Sequence, residues 1–174
     1  MPGPDFEAVV AGYYVPLYRF AISLARSEAD ACDLTQQTFY MWASKGQQLR
    51  DPSKVKSWLF TTLYRAFLES RRTLVRFPQI ELEECATDLP VILPEAARHL
   101  DAAQAVAALG QVDELYRAPV ALYYLEDYSY LEIAGILEVP MGTVKSRMAR
   151  GLAQLKQIFA GSGAARERAG GQRG

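Results

Sequence analysis

Five polar side chains near the C-terminal end of the chain, Thr143, Lys145, Ser146, Arg147 and Arg150, fall between apolar residues at a fixed spacing. Val144, Met148, Leu152, Leu155 and Phe159 recur every three or four positions, which lines one side of an α-helix and leaves the five polar groups on the other. Such a face suits DNA, because Lys and Arg neutralise phosphates or fork onto guanine edges while Thr and Ser hydrogen-bond to either. A solvated helix face has a similar share of cations, so charge alone does not decide between the two readings.

The elements around these residues decide more. Tyr130, Ile133, Ala134 and Leu137 stand at i, i+3, i+4 and i+7, a short amphipathic helix. Val139-Pro140 breaks that run, since proline cannot donate into a helix interior and turns its predecessor away from helical geometry. Proline is tolerated in a first helical turn, so a second helix is expected to begin here. A short helix, a tight turn and a longer helix with its basic residues at the N-terminal end is the arrangement that lays the second helix in a major groove.

Residues 115–139, LYRAPVALYYLEDYSYLEIAGILEV, followed by PMGTVKSRMAR at 140–150, resemble the promoter-binding region 4 of bacterial sigma factors of the extracytoplasmic-function group. Taken alone they also resemble the output domains of response regulators. The N-terminal half supplies a second match. Residues 27–45, SEADACDLTQQTFYMWASK, resemble the region 2 helix that docks on the clamp coiled coil of RNA polymerase, with Asp33, Leu34, Gln36, Phe39 and Trp42 carrying the likeness. Gln37 stands where the family usually has an acid, which keeps hydrogen-bonding capacity and removes a charge. An ordinary amphipathic helix burying Leu34, Thr38 and Met41 accounts for part of the same pattern.

After a polar connector at 45–54, VKSWLF at 55–60 resembles the start of the family's helix that melts and reads the minus-10 element. Melted bases stack on aromatic rings, worth roughly 1–3 kcal/mol per base, while cations hold the backbone. Lys54, Lys56, Trp58, Tyr64, Arg65, Arg71 and Arg72 are the candidates for that work. Trp58 also has the spacing of a core residue with Leu59, Thr62 and Leu63. By the same resemblance, residues 49–53 are the expected site for a flipped base. Thr61 and Arg65 replace the family's usual Arg and Asn, so the promoter sequence is not carried over.

Charge divides the chain. Residues 1–78 hold ten Lys+Arg against seven Asp+Glu, residues 79–115 one against eight, and residues 116–174 eight against five, within a net charge of only -1. The acidic, proline-containing stretch 76–93 reads as a linker and reaches about 60 Å at 3.3–3.6 Å per residue. From 94 a further helix is expected, with Ala97, Leu100, Ala103, Val106, Ala107 and Leu109 inward, and then a break at Gly110-Gln111. Pro119 is expected at the start of the next helix, with Val120, Leu122, Tyr123 and Leu125 packing on the helix-turn-helix, and Asp127 in the following turn. In the first block, residues 6–25 read as helix and Ser27 as the N-cap of the next. The glycine-rich segment 161–174 is expected to be disordered.

The expected fold is therefore all-α: two small helical domains, region 2 at 5–75 and region 4 at 94–160, joined by a flexible acidic linker. MPGPDFEAVV has no basic n-region and is not expected to be a secretory signal. No apolar run is expected to reach the roughly 18 residues of a membrane span, so no membrane insertion is anticipated. Cys32, Cys85 and the single His99 lack metal-ligand spacing, and reduced cytoplasmic thiols with no metal or cofactor are expected. The resemblance implies core RNA polymerase and promoter DNA, duplex and melted, as partners, an anti-sigma factor as regulator, and no enzymatic activity. A stand-alone helix-turn-helix regulator, which usually dimerises to match two half-sites, and an α-helical enzyme are the competing readings.

Overall fold

In the computed structural model the chain is described over residues 5–76 and 102–170, with side chains over 5–73 and 103–161. The first block opens with α1 (Phe6–Ala25), whose buried stripe is Val9, Leu17, Phe20, Ala21 and Leu24. Arg26 ends it in the left-handed region, φ 61°, with its N–H on the Ile22 carbonyl. Ser27 caps α2 (Glu28–Lys45) by accepting the Asp30 N–H at 3.4 Å. Within α2 the buried hydroxyls of Thr35 and Thr38 donate to the carbonyls of Ala31 and Leu34 at 2.7 Å, so this polar pair enters the core already satisfied. Two 3₁₀ turns, Gly46–Gln48 and Pro52–Lys54, lead into α3 (Val55–Arg76).

The second block is α4 (Ala102–Gln111), α5 (Glu114–Glu126), α6 (Tyr130–Leu137) and α7 (Met141–Gly170). Among the described residues there is no strand, and the all-α expectation holds. Asp127 and Glu138 occupy the left-handed region, φ 57° and 56°, and turn the chain out of α5 and α6. Aspartate tolerates that conformation well. Glutamate adopts it here while the next N–H, of Val139, bonds to the Ala134 carbonyl at 3.1 Å.

Several expectations are corrected. Pro119 lies inside α5, not at its start, because the helix already begins at Glu114 after Asp113. Ala103 and Ala107 of α4 are exposed, while Ala108 and Leu109 turn inward. The helix of α7 continues through Gly170, where disorder was expected from 161. Ala164-Ala165-Arg166-Glu167-Arg168-Ala169 are all good helix formers and outweigh the glycines before them. The α1 helix is, contrary to the sequence reading, long and apolar enough to cross a membrane by length and composition. It uses that apolarity to pack on α2 and α3 in its own block and on α4 and α5 of the other. The linker reading and the inward placement of Ala97 and Leu100 concern residues outside those described.

The two blocks share one core. Phe20 of α1 and Phe60 of α3 sit 5.4 Å apart between ring centres, and Tyr128, from the turn after α5, meets Phe60 edge-on at 5.5 Å. Leu59 and Leu63 of α3, Ala118, Val120 and Leu122 of α5 and Ile133 of α6 belong to the same buried cluster. The α3 helix packs against α6, so the second block rests on the face of the first.

Candidate nucleic-acid interface

The helix-turn-helix is α6 and α7. Its first helix is locked by a capping box that the sequence displays as Ser129-Tyr130-Leu131-Glu132. The Glu132 N–H donates to Ser129 Oγ at 3.2 Å, and the Ser129 N–H donates to Glu132 Oε2 at 2.8 Å. Pro140 stands just before α7, its carbonyl accepting the N–H groups of Thr143 and Val144 at 3.0 and 3.2 Å. Val144 and Met148 are fully buried, and Gly151 lets α7 approach α5 so closely that a Cβ there would lie 2.6 Å from Val120. This packing fixes the rotation of α7.

It places Lys145, Ser146 and Arg150 in solvent, with Thr143 and Arg147 half-buried beside them. Ser146 Oγ donates to the Thr143 carbonyl at 3.1 Å, and Arg150 donates to the Tyr116 hydroxyl at 3.4 Å. All five candidates lie within about two turns of α7. Burial pushes the Tyr64 phenol up, and the charge of Arg147 pulls it partly back.

In the first block the structure brings together Lys54, Trp58 and Arg65. They line an open cavity of about 390 Å³ with Leu49, Ser57, Thr61 and Thr62. Of residues 49–53 only Leu49 reaches it. Asp51 instead shapes the connector, accepting from the Ser53 N–H at 3.0 Å and the Ser53 hydroxyl at 2.7 Å, which hold its carboxyl below the usual range. Trp58 is half-buried and packs at 5.3 Å edge-on against Trp42, so it serves both core and cavity wall. Tyr64 is half-buried and stacks near Phe67. Arg72 is exposed, 4.0 Å from Glu69.

Three of the candidate polymerase contacts are not on the surface. Leu34, Phe39 and Trp42 are 4%, 6% and 4% exposed and belong to the core. Their side of α2 must cover α1 and α3, which the family likeness alone did not separate from the outward side. Asp33, Gln36 and Gln37 are exposed, next to Tyr40, whose ring is 72% exposed.

Lys56, half-buried, and Arg65 and Arg71, both exposed, are each engaged by the second block. Lys56 Nζ donates to the Glu126 carbonyl at 3.3 Å and lies 4.6 Å over the Tyr128 ring. Arg65 pairs with Glu138, and Arg71 with Glu114, whose carboxylate raises the arginine further. Sequence reasoning missed the residues at the centre of this contact. Arg19 donates through Nε and Nη2 to Glu126 Oε1 at 3.0 and 2.8 Å, and through Nη2 to the Leu125 carbonyl at 3.0 Å. The Glu126 side chain is only 3% exposed. Burial raises its carboxyl above the usual range against the pull of Arg19 and Lys56. Arg117, also buried, donates to the Val112 and Leu24 carbonyls at 2.7 and 3.1 Å, tying α5 to the end of α1. The Tyr128 hydroxyl is buried without a hydrogen-bond partner among the described residues, and burial pushes its titration above the usual tyrosine range.

Residues 9–77 match the profile "Sigma-70 region 2" and residues 102–155 the profile "Sigma-70, region 4". The chain is 33% identical over 161 residues to the ECF RNA polymerase sigma factor SigE of Mycolicibacterium smegmatis, covering 90% of this chain and 62% of that relative. It is 30% identical over 154 residues to the ECF RNA polymerase sigma factor EcfG of Rhodopseudomonas palustris, covering 86% of this chain and 83% of the relative. Its fold resembles the sigma factor RpoE of Bartonella quintana, solved in complex with the anti-sigma factor NepR, with a TM-score of 0.69, 28% identity, and coverage of 90% of this chain and 97% of that one. The protein is a sigma factor of the sigma-70 family, the class that directs RNA polymerase to promoters. Within that family it belongs to the extracytoplasmic-function group.

Proposed function

We propose that the chain binds core RNA polymerase in the cytoplasm through its first block, reads the minus-35 element through the second, and helps to open the minus-10 element, catalysing nothing alone. The module at 94–160 reads duplex DNA through Thr143, Lys145, Ser146, Arg147 and Arg150. The module at 5–75 docks on the clamp coiled coil through Asp33, Gln36 and Gln37, with Leu34, Phe39 and Trp42 holding that helix from beneath. Lys54, Lys56, Arg65, Arg71 and Arg72 hold the melted strand, with Trp58 and Tyr64 as stacking surfaces and the cavity beside Leu49 taking a base.

The observation that supports this most is a capped helix-turn-helix presenting cations over a fully buried Val144–Met148 stripe, on the same chain as an acidic, polar α2 surface. A stand-alone operator-binding regulator has no use for the second of these. A partner of the kind that NepR is for the Bartonella protein would act as anti-sigma factor. Transcription in vitro with purified core polymerase on genomic fragments tests the reading. Specific transcripts that require this chain are expected; binding to duplex DNA without polymerase, and no transcripts with it, overturns it.

A further inference from the structure

The first turn of α5 grips the reading helix at two points. Asp113 stands at the N-cap position of α5, where an aspartate ordinarily accepts a hydrogen bond from its own first turn; here its side chain makes no such bond. Its Oδ2 accepts instead from Gln154 Nε2 of α7 at 2.9 Å, while its N–H donates to Gln154 Oε1 at 2.8 Å, 41 positions away. One turn along each helix, the hydroxyl of the half-buried Tyr116 accepts from Arg150 Nη1 at 3.4 Å. Arg150 and Gln154 are spaced i, i+4 and Asp113 and Tyr116 i, i+3, so both grips join the same two helix faces. Between them Gly151 lets α7 close on α5: a Cβ there would lie 3.2 Å from the Tyr116 Cβ.

We propose that Tyr116 and Asp113 are positioning residues for promoter reading: the Asp113–Gln154 bridge and the Tyr116 hydroxyl together hold Arg150 in the orientation from which it meets DNA. The proposal rests on the reading of Arg150 as a DNA contact given above. An exposed arginine samples many rotamers, and a contact with DNA costs it that freedom. Arg150 gives up part of it before DNA arrives. The hydroxyl engages Nη1 and leaves Nε and Nη2, the side-on fork of the guanidinium, for a guanine edge or a phosphate. At 3.4 Å the hydroxyl contact is weak by itself. The bridge is shorter and doubled, and it fixes the rotation of α7 one turn further on, which keeps hydroxyl and guanidinium in register. The carboxylate that would ordinarily cap α5 is thus spent on aiming its neighbour.

The test is a double-mutant cycle in the holoenzyme, on a promoter fragment recovered by the transcription assay and on duplexes carrying each base in turn across its minus-35 box. Tyr116→Phe removes one oxygen and keeps the ring against Gly151. It is expected to weaken promoter binding about three- to tenfold, the cost of ordering one long side chain on binding, and to narrow the preference at one base position while thermal unfolding stays unchanged. In an Arg150→Ala background the same change is expected to do nothing, because its whole effect passes through that guanidinium. Asp113→Ala and Gln154→Ala are expected to weaken binding likewise and to be non-additive with each other, and Asp113→Asn, which keeps an acceptor oxygen and the N–H, to recover most of the loss. Should either alanine variant lose helix by circular dichroism, Tyr116→Phe and Asp113→Asn decide the matter. Full additivity of Tyr116→Phe with Arg150→Ala overturns the positioning role, and so does a loss in Arg150→Ala with none in Tyr116→Phe. Wild-type affinity in Arg150→Ala overturns the DNA-contact reading beneath it, and the proposal with it.

Discussion

Gly46 lies directly against the Trp42 indole, and replacing it by alanine should damage both stability and the cavity two residues' packing away. A Cβ at this position falls 2.5, 2.6 and 2.7 Å from three ring carbons. Carbon pairs are comfortable at about 3.5–4.0 Å, so the ring must retreat by roughly 1 Å. It has nowhere to go: Trp42 is 4% exposed and held edge-on by Trp58 at 5.3 Å. The displacement passes to Trp58, which walls the cavity beside Lys54 and Arg65. The backbone at Gly46 is helical, φ -60°, and alanine adopts it without strain. The favourable backbone term is at most ~1 kcal/mol, against an overpacking penalty of about 1–3 kcal/mol. A net loss near 1–2 kcal/mol corresponds to a Tm lower by roughly 2–8 °C in a chain of this length. Gly12→Ala is the control: nothing lies within 4 Å of its added methyl, so it should raise Tm slightly. Thermal unfolding followed by circular dichroism measures both, and open-complex formation with core polymerase measures the cavity. A Gly46→Ala chain as stable as wild type would refute the reasoning.

Arg147→Ala is expected to weaken promoter binding by the holoenzyme by about 1–3 kcal/mol, and to relax discrimination if it reads a base; unchanged affinity in a filter-binding titration would remove it from the reading set. Ser129→Ala breaks one arm of the capping box and should destabilise α6 by about 0.5–2 kcal/mol, seen as faster amide exchange at residues 130–134, with Glu132→Ala adding less than its own effect. Stability should depend on pH through Glu126, which faces Arg19 on α1, Lys56 on α3 and the adjacent Asp127. Its folded pKa is raised above the ordinary 4.5, so its contribution to stability is complete below that value and is lost as pH rises through the raised one. Between wild type and Glu126→Gln, thermal unfolding should show a stability difference that shifts against wild type as pH rises from about 5 to about 7. A difference indifferent to pH counts against it.

What the sequence displayed was local. The bounds of α1, the Ser27 cap and the α6-turn-α7 unit follow from periodicity and from proline, all of which act over a few residues. The outward placement of Lys145, Ser146 and Arg150 on α7 was legible for the same reason, while Thr143 and Arg147 are half-buried. The Ser129-x-x-Glu132 signature was equally legible and went unread. Leu34, Phe39 and Trp42 were misplaced because a likeness to a docking helix does not say which of its residues face the partner and which face the core. Arg19 and Glu126 stand 107 positions apart, and nothing near either one announces the other. Such pairs are set by how helices stack in three dimensions. The same holds for Arg71 with Glu114 and Arg65 with Glu138.

The aromatic seam at Phe20, Phe60 and Tyr128 bears on anyone who would divide this molecule. Cutting between the halves, a common route to smaller specimens, strips the cover from a ring that is otherwise fully dry. Each fragment would then carry a sticky facet, prone to self-association at the concentrations that spectroscopy demands. Keeping the halves joined, or substituting the Tyr128 side, is the sounder way to obtain a well-behaved sample.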